Sequence, residues 1–175
     1  MGLFILGAAP QQGWAAANQA TLSALPAYQV TVTGYNAVPG QTDDTPYSTS
    51  IGVYTNPEII AARSSDLADE LPYGTVIALE PASETSDCGM VDVYDHIGLR
   101  VIGDAMNARM RNKVDILFSQ HDFVPSRGLS RNAAKAIGFC RDVTIRVVGR
   151  IDPQDMPATQ EELVAMMGKQ LLAAK

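Results

Sequence analysis

The chain has 175 residues, of which 46% are hydrophobic and 18% charged, so it carries enough apolar material for one core and no sign of wholesale disorder. Its 13 Lys and Arg against 19 Asp and Glu give a net charge of −6, the opposite of the basic surface that a nucleic-acid-binding protein needs. No stretch approaches the roughly 20 apolar residues of a membrane-spanning helix. We therefore expect one globular domain, with no nucleic-acid partner and no transmembrane segment.

Residues 1–26 are rich in Ala, Gln and Gly and end at Pro26, which indicates an N-terminal arm ahead of the folded domain. The apolar run 3–9 is similar to the core of a secretion signal, but no Lys or Arg precedes it. An export signal and an arm that contacts a partner therefore both remain open.

Alternating hydrophobicity and β-branched residues predict a first strand over 27–35. Further short strands are predicted over 52–55, 75–79, 90–94, 99–102, 114–118 and 143–148. A helix is predicted over 130–137, with Ser130 as its N-cap and Gly138 just past its end. Closely spaced short strands with turns between them predict an all-β barrel or sandwich with minor helices.

The C-terminal segment 153–175 begins with prolines and continues as a helical pattern. Thr159 and Glu162 have the spacing of a capping box, and apolar residues follow at helical intervals. We expect the Met-rich face to be a packing surface, with another subunit among its candidate partners, and to add little to the core of the barrel. The predicted organisation is an arm over 1–26, a barrel domain over 27–152 and a C-terminal amphipathic helix over 153–175.

The two cysteines, Cys88 and Cys140, do not have the spacing of a zinc site, and the two histidines lie apart from them. Cys88 and Cys140 could form one disulfide in an oxidising compartment or remain two buried thiols. Both interpretations stay open, and neither a metal nor a cofactor is predicted.

Two aspartates are the strongest candidates for chemistry. Asp104 ends a predicted strand, and Asp115 follows eleven residues later, just before an apolar run. If Val114 and Ile116 face the core, alternation places Asp115 on the opposite face, beside Leu117. An apolar neighbour raises the pKa of a carboxyl group and suits it to act as a general acid, although a turn cap is the alternative role of an aspartate at a strand end.

Three segments are similar to the T-A-Y, T-A-S-G and I-P-x-G-T motifs of one family, and they occur in the same order: 32–35, 49–52 and 71–75. Asp104 and Asp115 repeat the aspartate spacing of its D-T-G-G-x-I-K-G-x-R-I-D motif. From about Gln29 to Val148 the chain thus resembles the 3D (Asp-Asp-Asp) domain of the enzymes related to membrane-bound lytic transglycosylase A and the muralytic stationary-phase-survival proteins.

The resemblance implies a six-stranded double-psi β-barrel that cleaves the glycan strands of peptidoglycan as a lytic transglycosylase. It makes Asp115 the general acid/base and Asp104 its carboxylate neighbour, whose like charge would raise the pKa of Asp115. The expected location is the cell envelope or the extracellular space, or a virion if the chain is a structural component. The segment 104–107 departs from the family's glycine-rich loop.

The candidate substrate-binding residues are Tyr35, Thr49, Tyr73, Asn107 and Arg109. The two tyrosines could stack on sugar rings or form the rim of the core, and Arg109 belongs to a basic strip that could meet muropeptide carboxylates. The loop 42–45 could border the same cleft. Two non-catalytic alternatives remain: a structural component of a larger assembly, such as a phage tail or capsid, and a glycan-binding module. Contacts with further copies of the chain would then run through the arm and the C-terminal helix.

Overall fold

The computed structural model of the chain describes residues 24–39, 45–80 and 88–173. The strands are β1 (Ala27–Asn36), β2 (Ile60–Arg63), β3 (Thr75–Leu79), β4 (Leu99–Ala105), β5 (Lys113–Phe118), β6 (Phe123–Ser126), β7 (Leu129–Asn132) and β8 (Cys140–Arg150). The helices are α1 (Met90–Val93), α2 (Ala133–Ile137) and α3 (Gln160–Ala173), with short 3-10 turns at Ser65–Leu67, Tyr94–His96 and Pro153–Asp155. Residues 1–23 of the predicted arm lie outside the described residues. So do residues 42–44 of the loop 42–45 that is predicted to border the cleft.

Six of these strands form a closed barrel in the order β1-β5-β2-β4-β3-β8, and β6 and β7 form a separate two-stranded sheet. The prediction of a mostly-β protein with minor helices is confirmed. Five predicted strands, those near 27–35, 75–79, 99–102, 114–118 and 143–148, all belong to the barrel.

The strand pairing relates the two halves of the barrel to each other. β1 is parallel to β5 and β2 is parallel to β4, whereas the other four neighbouring pairs are antiparallel. Exchanging β1 with β4, β2 with β5 and β3 with β8 reproduces the same ring of neighbours and the same parallel pairs. The strands therefore form two sets of three, β1-β2-β3 and β4-β5-β8. A pseudo-two-fold exchange relates the two sets in the pairing pattern.

Two predicted strands are wrong. Residues 90–94 form α1 and the start of a 3-10 turn, because Met90 and Val93, three residues apart, are the buried side chains of a helical turn. Residues 52–55 contain a turn at Gly52, whose φ is +79°, and only Tyr54 makes a β-bridge.

Two further departures lie at β2 and before α2. All four residues of β2 are buried, so the sequence has no alternation there to reveal a strand. The predicted helix start at Ser130 is wrong, since Ser130 belongs to β7 and Asn132 is the N-cap, its side chain accepting the Ala134 N–H at 3.1 Å. The predicted end at Gly138 agrees with its φ of +64°.

Buried side chains fall into two clusters on opposite faces of the strands. In β5, Val114, Ile116 and Phe118 belong to the cluster that packs with α1 and α2, whereas Leu117 belongs to the cluster that packs with α3. The alternation predicted for this strand is thus confirmed. Cys88 and Cys140 form a disulfide that ties the segment before α1 to the start of β8.

The C-terminal helix packs on the barrel of its own chain. Leu163 and Met167 are fully buried in the second cluster, so the expectation that this segment adds little to the core is wrong for these two residues. The predicted cap is present, since the Thr159 hydroxyl accepts the Glu162 N–H at 3.2 Å. Gln160 fixes the first turn of the helix to β4 by accepting the Leu99 N–H and donating to its carbonyl oxygen.

Candidate active site

Strand register places four residues in a row across the barrel. Thr33 of β1 is paired with Asp115 of β5, Asp115 with Ala62 of β2, and Ala62 with Asp104 of β4. Cross-strand partners share a face of the sheet, so both carboxylates lie on one face with only the methyl group of Ala62 between them. The small side chain of Ala62 leaves the space between the two aspartates open.

An irregularity in β4 is what turns Asp104 toward this face. The β2–β4 register runs from Ala61 opposite Ile102 directly to Ala62 opposite Asp104, which skips Gly103. In a regular ladder Ala62 would face Gly103, and the Asp104 side chain would point to the other face. A β-bulge thus brings the second carboxylate into the row, a use of bulges that is common beside active sites.

Asp115 is half-buried, and its Oδ1 accepts a hydrogen bond of 2.8 Å from the Thr33 hydroxyl. Burial raises the pKa of Asp115 from its usual 3.8 to about 6, against the opposing effects of Thr33 and the Lys113 charge. The Asp104 charge raises this pKa too, but it is the smallest of the four contributions. Desolvation, rather than the like charge of Asp104, is therefore the main reason why the pKa of Asp115 is raised.

Asp104 accepts three hydrogen bonds. Its Oδ1 takes the backbone N–H groups of Ser50 and Ala105, each at 2.8 Å, and its Oδ2 takes the Tyr35 hydroxyl at 3.3 Å. Burial, followed by the Asp104 charge, holds the pKa of Tyr35 well above its ordinary value, so the phenol keeps its proton and acts as a donor. The acceptor-only pattern around Asp104 is the one that a carboxylate satisfies.

Both aspartates line a cleft of about 540 Å³. Its lining also includes the hydroxyl-bearing residues Ser48, Ser50 and Thr55, and Met106, Asn107 and Met110. Such a mixed polar and apolar lining fits a ligand that presents both hydroxyl groups and C–H faces.

The predicted binding residues divide into two groups. Tyr35 and Asn107 line the cleft together with the two aspartates. Thr49 is instead buried behind the cleft, where its hydroxyl accepts the Val53 N–H, and Arg109 is exposed and donates to the Asn107 side chain. The Tyr73 ring lies under the Arg63 guanidinium at 4.8 Å, with its hydroxyl 3.3 Å from the Ser50 hydroxyl.

Sequence reasoning missed Thr33, Ser50 and Ala62. Thr33 was detectable, since it shares the alternation of β1 with Tyr35. Ser50 lies 54 residues before Asp104 and Ala62 lies in a strand without alternation, so only the fold brings these two to the site.

Neither the protein-family models nor the curated proteins contain a match to this chain. Within residues 24–39, 45–80 and 88–173, no three His, Cys, Asp or Glu side chains are grouped so that they could hold a metal ion. None of the helices in the described part of the chain is long and apolar enough to cross a membrane.

Proposed function

We propose that the chain is a lytic transglycosylase that cleaves the glycan strands of peptidoglycan, with Asp115 as its general acid/base. The observation that carries this proposal is Asp115 itself: a half-buried carboxyl group that faces an open cleft and has a pKa of about 6. A glycosidic oxygen must be protonated as it leaves, and an acid with a pKa in this range supplies that proton near neutral pH.

We further propose that the barrel has the double-psi topology. The exchange that relates β1, β2 and β3 to β4, β5 and β8 supports this assignment, because a double-psi barrel consists of two interlocked three-stranded units. The order of the sequence motifs between Gln29 and Val148 supports it independently.

The reaction balances with one acid/base residue. The Asp115 proton passes to the glycosidic oxygen, the bond from that oxygen to C1 breaks with its electron pair on the oxygen, and an oxocarbenium-like centre forms at C1. The Asp115 carboxylate then takes the proton of the muramoyl C6 hydroxyl, whose oxygen bonds to C1 and closes a 1,6-anhydro ring. Asp115 ends the reaction protonated. Asp104 lies across Ala62 from Asp115, is held by three hydrogen-bond donors, and stabilises the positive charge of the oxocarbenium-like centre.

Thr33 orients the acid. Its hydroxyl occupies Oδ1 of Asp115, so the transferable proton resides on Oδ2. Because Tyr35 and Ser50 donate to Asp104 and not to Asp115, the two carboxylates have separate roles.

The proposed location is the cell envelope, the extracellular space or a virion. The Cys88–Cys140 disulfide supports it, since such bonds persist in oxidising compartments. A structural role in a larger assembly is the second candidate function. It is favoured by Phe123 and Leu129, which are 58% and 60% exposed on the β6–β7 hairpin.

The test is incubation of purified sacculi with the parent protein and with Asp115→Asn, which keeps the side-chain shape but has no transferable proton. We expect anhydro-muropeptide release by the parent and a loss of about 10²- to 10⁴-fold in the variant. Asp155→Asn, an exposed aspartate outside the cleft, is the matched control and should behave as the parent. A parent protein that releases no product would favour the structural role instead.

A further inference from the structure

One border of the cleft is a small hairpin, residues 46–55, which we call the rim hairpin. Ser48 and Tyr54 form an antiparallel bridge in it, and the Thr55 N–H donates to the Tyr47 carbonyl oxygen. The Ser50 N–H bonds to Asp104, so the rim hairpin is fixed to the floor of the cleft.

The rim hairpin exposes two large aromatic side chains, Tyr47 and Tyr54, which are 71% and 66% exposed. Bridge partners place their side chains on the same face, and Ser48, the partner of Tyr54, lines the cleft. Tyr47 directly precedes Ser48, so its side chain points to the opposite face of the rim hairpin. The Tyr54 ring is therefore continuous with the cleft border, and the Tyr47 ring is not.

The size of the cleft requires a second contact region for a polymer. A pocket of 540 Å³ is in the range that encloses one small molecule, so a glycan strand that reacts at Asp115 must run out over the border. Tyrosine suits this border, because its ring offers a rigid apolar face at low entropic cost while its hydroxyl group remains hydrated.

We propose that Tyr54 forms an aromatic subsite that stacks on a sugar ring of the glycan strand outside the reacting bond. The subsite rests on the proposed function, since it binds the same polymer as the cleft. It contributes to affinity for long strands and not to the chemical step.

The test measures binding without cleavage. In the Asp115→Asn background, cosedimentation with purified sacculi compares Tyr54→Ala, the conservative Tyr54→Phe and Tyr47→Ala, a similarly exposed tyrosine on the opposite face of the same hairpin. We expect about 3- to 10-fold weaker binding for Tyr54→Ala and near-parental binding for Tyr54→Phe and Tyr47→Ala, because both keep a ring at position 54. Phe123→Ala, a similarly exposed aromatic outside the cleft lining, is the control and should bind normally.

Parental affinity in Tyr54→Ala, or an equal loss in Phe123→Ala, would overturn the subsite. A change in oligomeric state on removing Tyr54, measured by size-exclusion chromatography, would also overturn it by showing a contact between copies of the chain. If Tyr54→Ala loses binding as expected while the parent protein releases no anhydro product, the subsite stands and the proposed cleavage fails.

Discussion

The Asp115 carboxyl group is held in a position where its ionised form is poorly solvated. Since its folded-state pKa of about 6 lies above the usual 3.8, the folded protein binds this proton more tightly than the unfolded chain does. The associated stability is present below about pH 4 and is lost as the pH rises through about 6. The arrangement that prepares the acid for catalysis therefore destabilises the protein at neutral pH.

Asp115→Asn should remove this pH dependence. We expect the variant to gain stability relative to the parent between pH 4 and pH 7.5, by up to about 3 kcal/mol, because a shift of one pKa unit corresponds to about 1.4 kcal/mol. Urea unfolding of both proteins across this range measures the difference between their free energies of unfolding. The contributions of the other titrating groups cancel in this difference. A difference that stays constant with pH would show that the pKa of Asp115 is not raised.

Thr33→Val should alter the pH profile without removing the acid. The Thr33 hydroxyl favours the ionised form of Asp115, so its loss raises the pKa of Asp115 further, and the active, protonated form persists to higher pH. We expect the alkaline limb of muropeptide release to move upward, with a rate loss far below that of Asp115→Asn. Thr31→Val, on the same strand, is the control, and an unmoved limb in Thr33→Val would remove Thr33 from the mechanism.

At the scale of elements, one buried cation joins β4 to its surroundings. The Arg100 side chain is 1% exposed, and its guanidinium donates to the carbonyl oxygens of Pro57, His96, Ile97 and Leu117. Burial lowers the pKa of Arg100 to about 10, which leaves it charged at neutral pH. Arg100 thus holds the segment before β2, the turn before β4 and strand β5 together behind the row of active-site residues.

Arg100→Met should lower the free energy of unfolding by about 3 kcal/mol or more, because it leaves several buried carbonyl groups without donors. Arg100→Lys should recover only part of this loss, since a compact ammonium cannot reproduce the planar set of guanidinium donors. Denaturant midpoints measure both variants, with the exposed Arg141→Met as a control expected to stay within about 0.5 kcal/mol. A loss below about 1 kcal/mol in Arg100→Met would contradict this role.

The elements also show how far sequence reasoning reaches. Strands with one alternating face, such as β1 and β5, were predictable, and so were Asp104 and Asp115 as candidate site residues. β2 was not, because burial on both faces removes the alternation, and α1 was taken for a strand because its few apolar residues fit either period. The β4 bulge that turns Asp104 into the cleft is set by the whole barrel and has no local signal.

At the scale of the molecule, the pseudo-two-fold operation relates β5 to β2 and β1 to β4. It therefore makes Asp115 equivalent to Ala62 and Thr33 equivalent to Asp104. The two related units supply different residues at matching positions: β4 and β5, which belong to one unit, carry the two carboxylates, and β1 and β2 of the other unit carry Thr33 and Ala62. Symmetry of the backbone thus coexists with an asymmetric site.

The Cys88–Cys140 disulfide closes a loop with a sequence separation of 52 residues across this barrel. Replacing both cysteines by serine should lower the free energy of unfolding by about 3 to 4 kcal/mol, mainly because the unfolded chain regains conformational entropy. Denaturant unfolding with and without reductant measures the effect. The parent should respond to reductant and the double variant should not, whereas equal stability of the two proteins would show that the bond is absent in solution.

The most direct test of the central claim is mass spectrometry of the products released from purified sacculi in ¹⁸O-labelled water. If Asp115 transfers its proton to the leaving oxygen and then accepts that of the C6 hydroxyl, the parent protein should release 1,6-anhydro-muropeptides that contain no ¹⁸O. Asp115→Asn should release them at least about 100-fold more slowly. Reducing ends that carry one ¹⁸O, or equal release by the variant, would contradict the account.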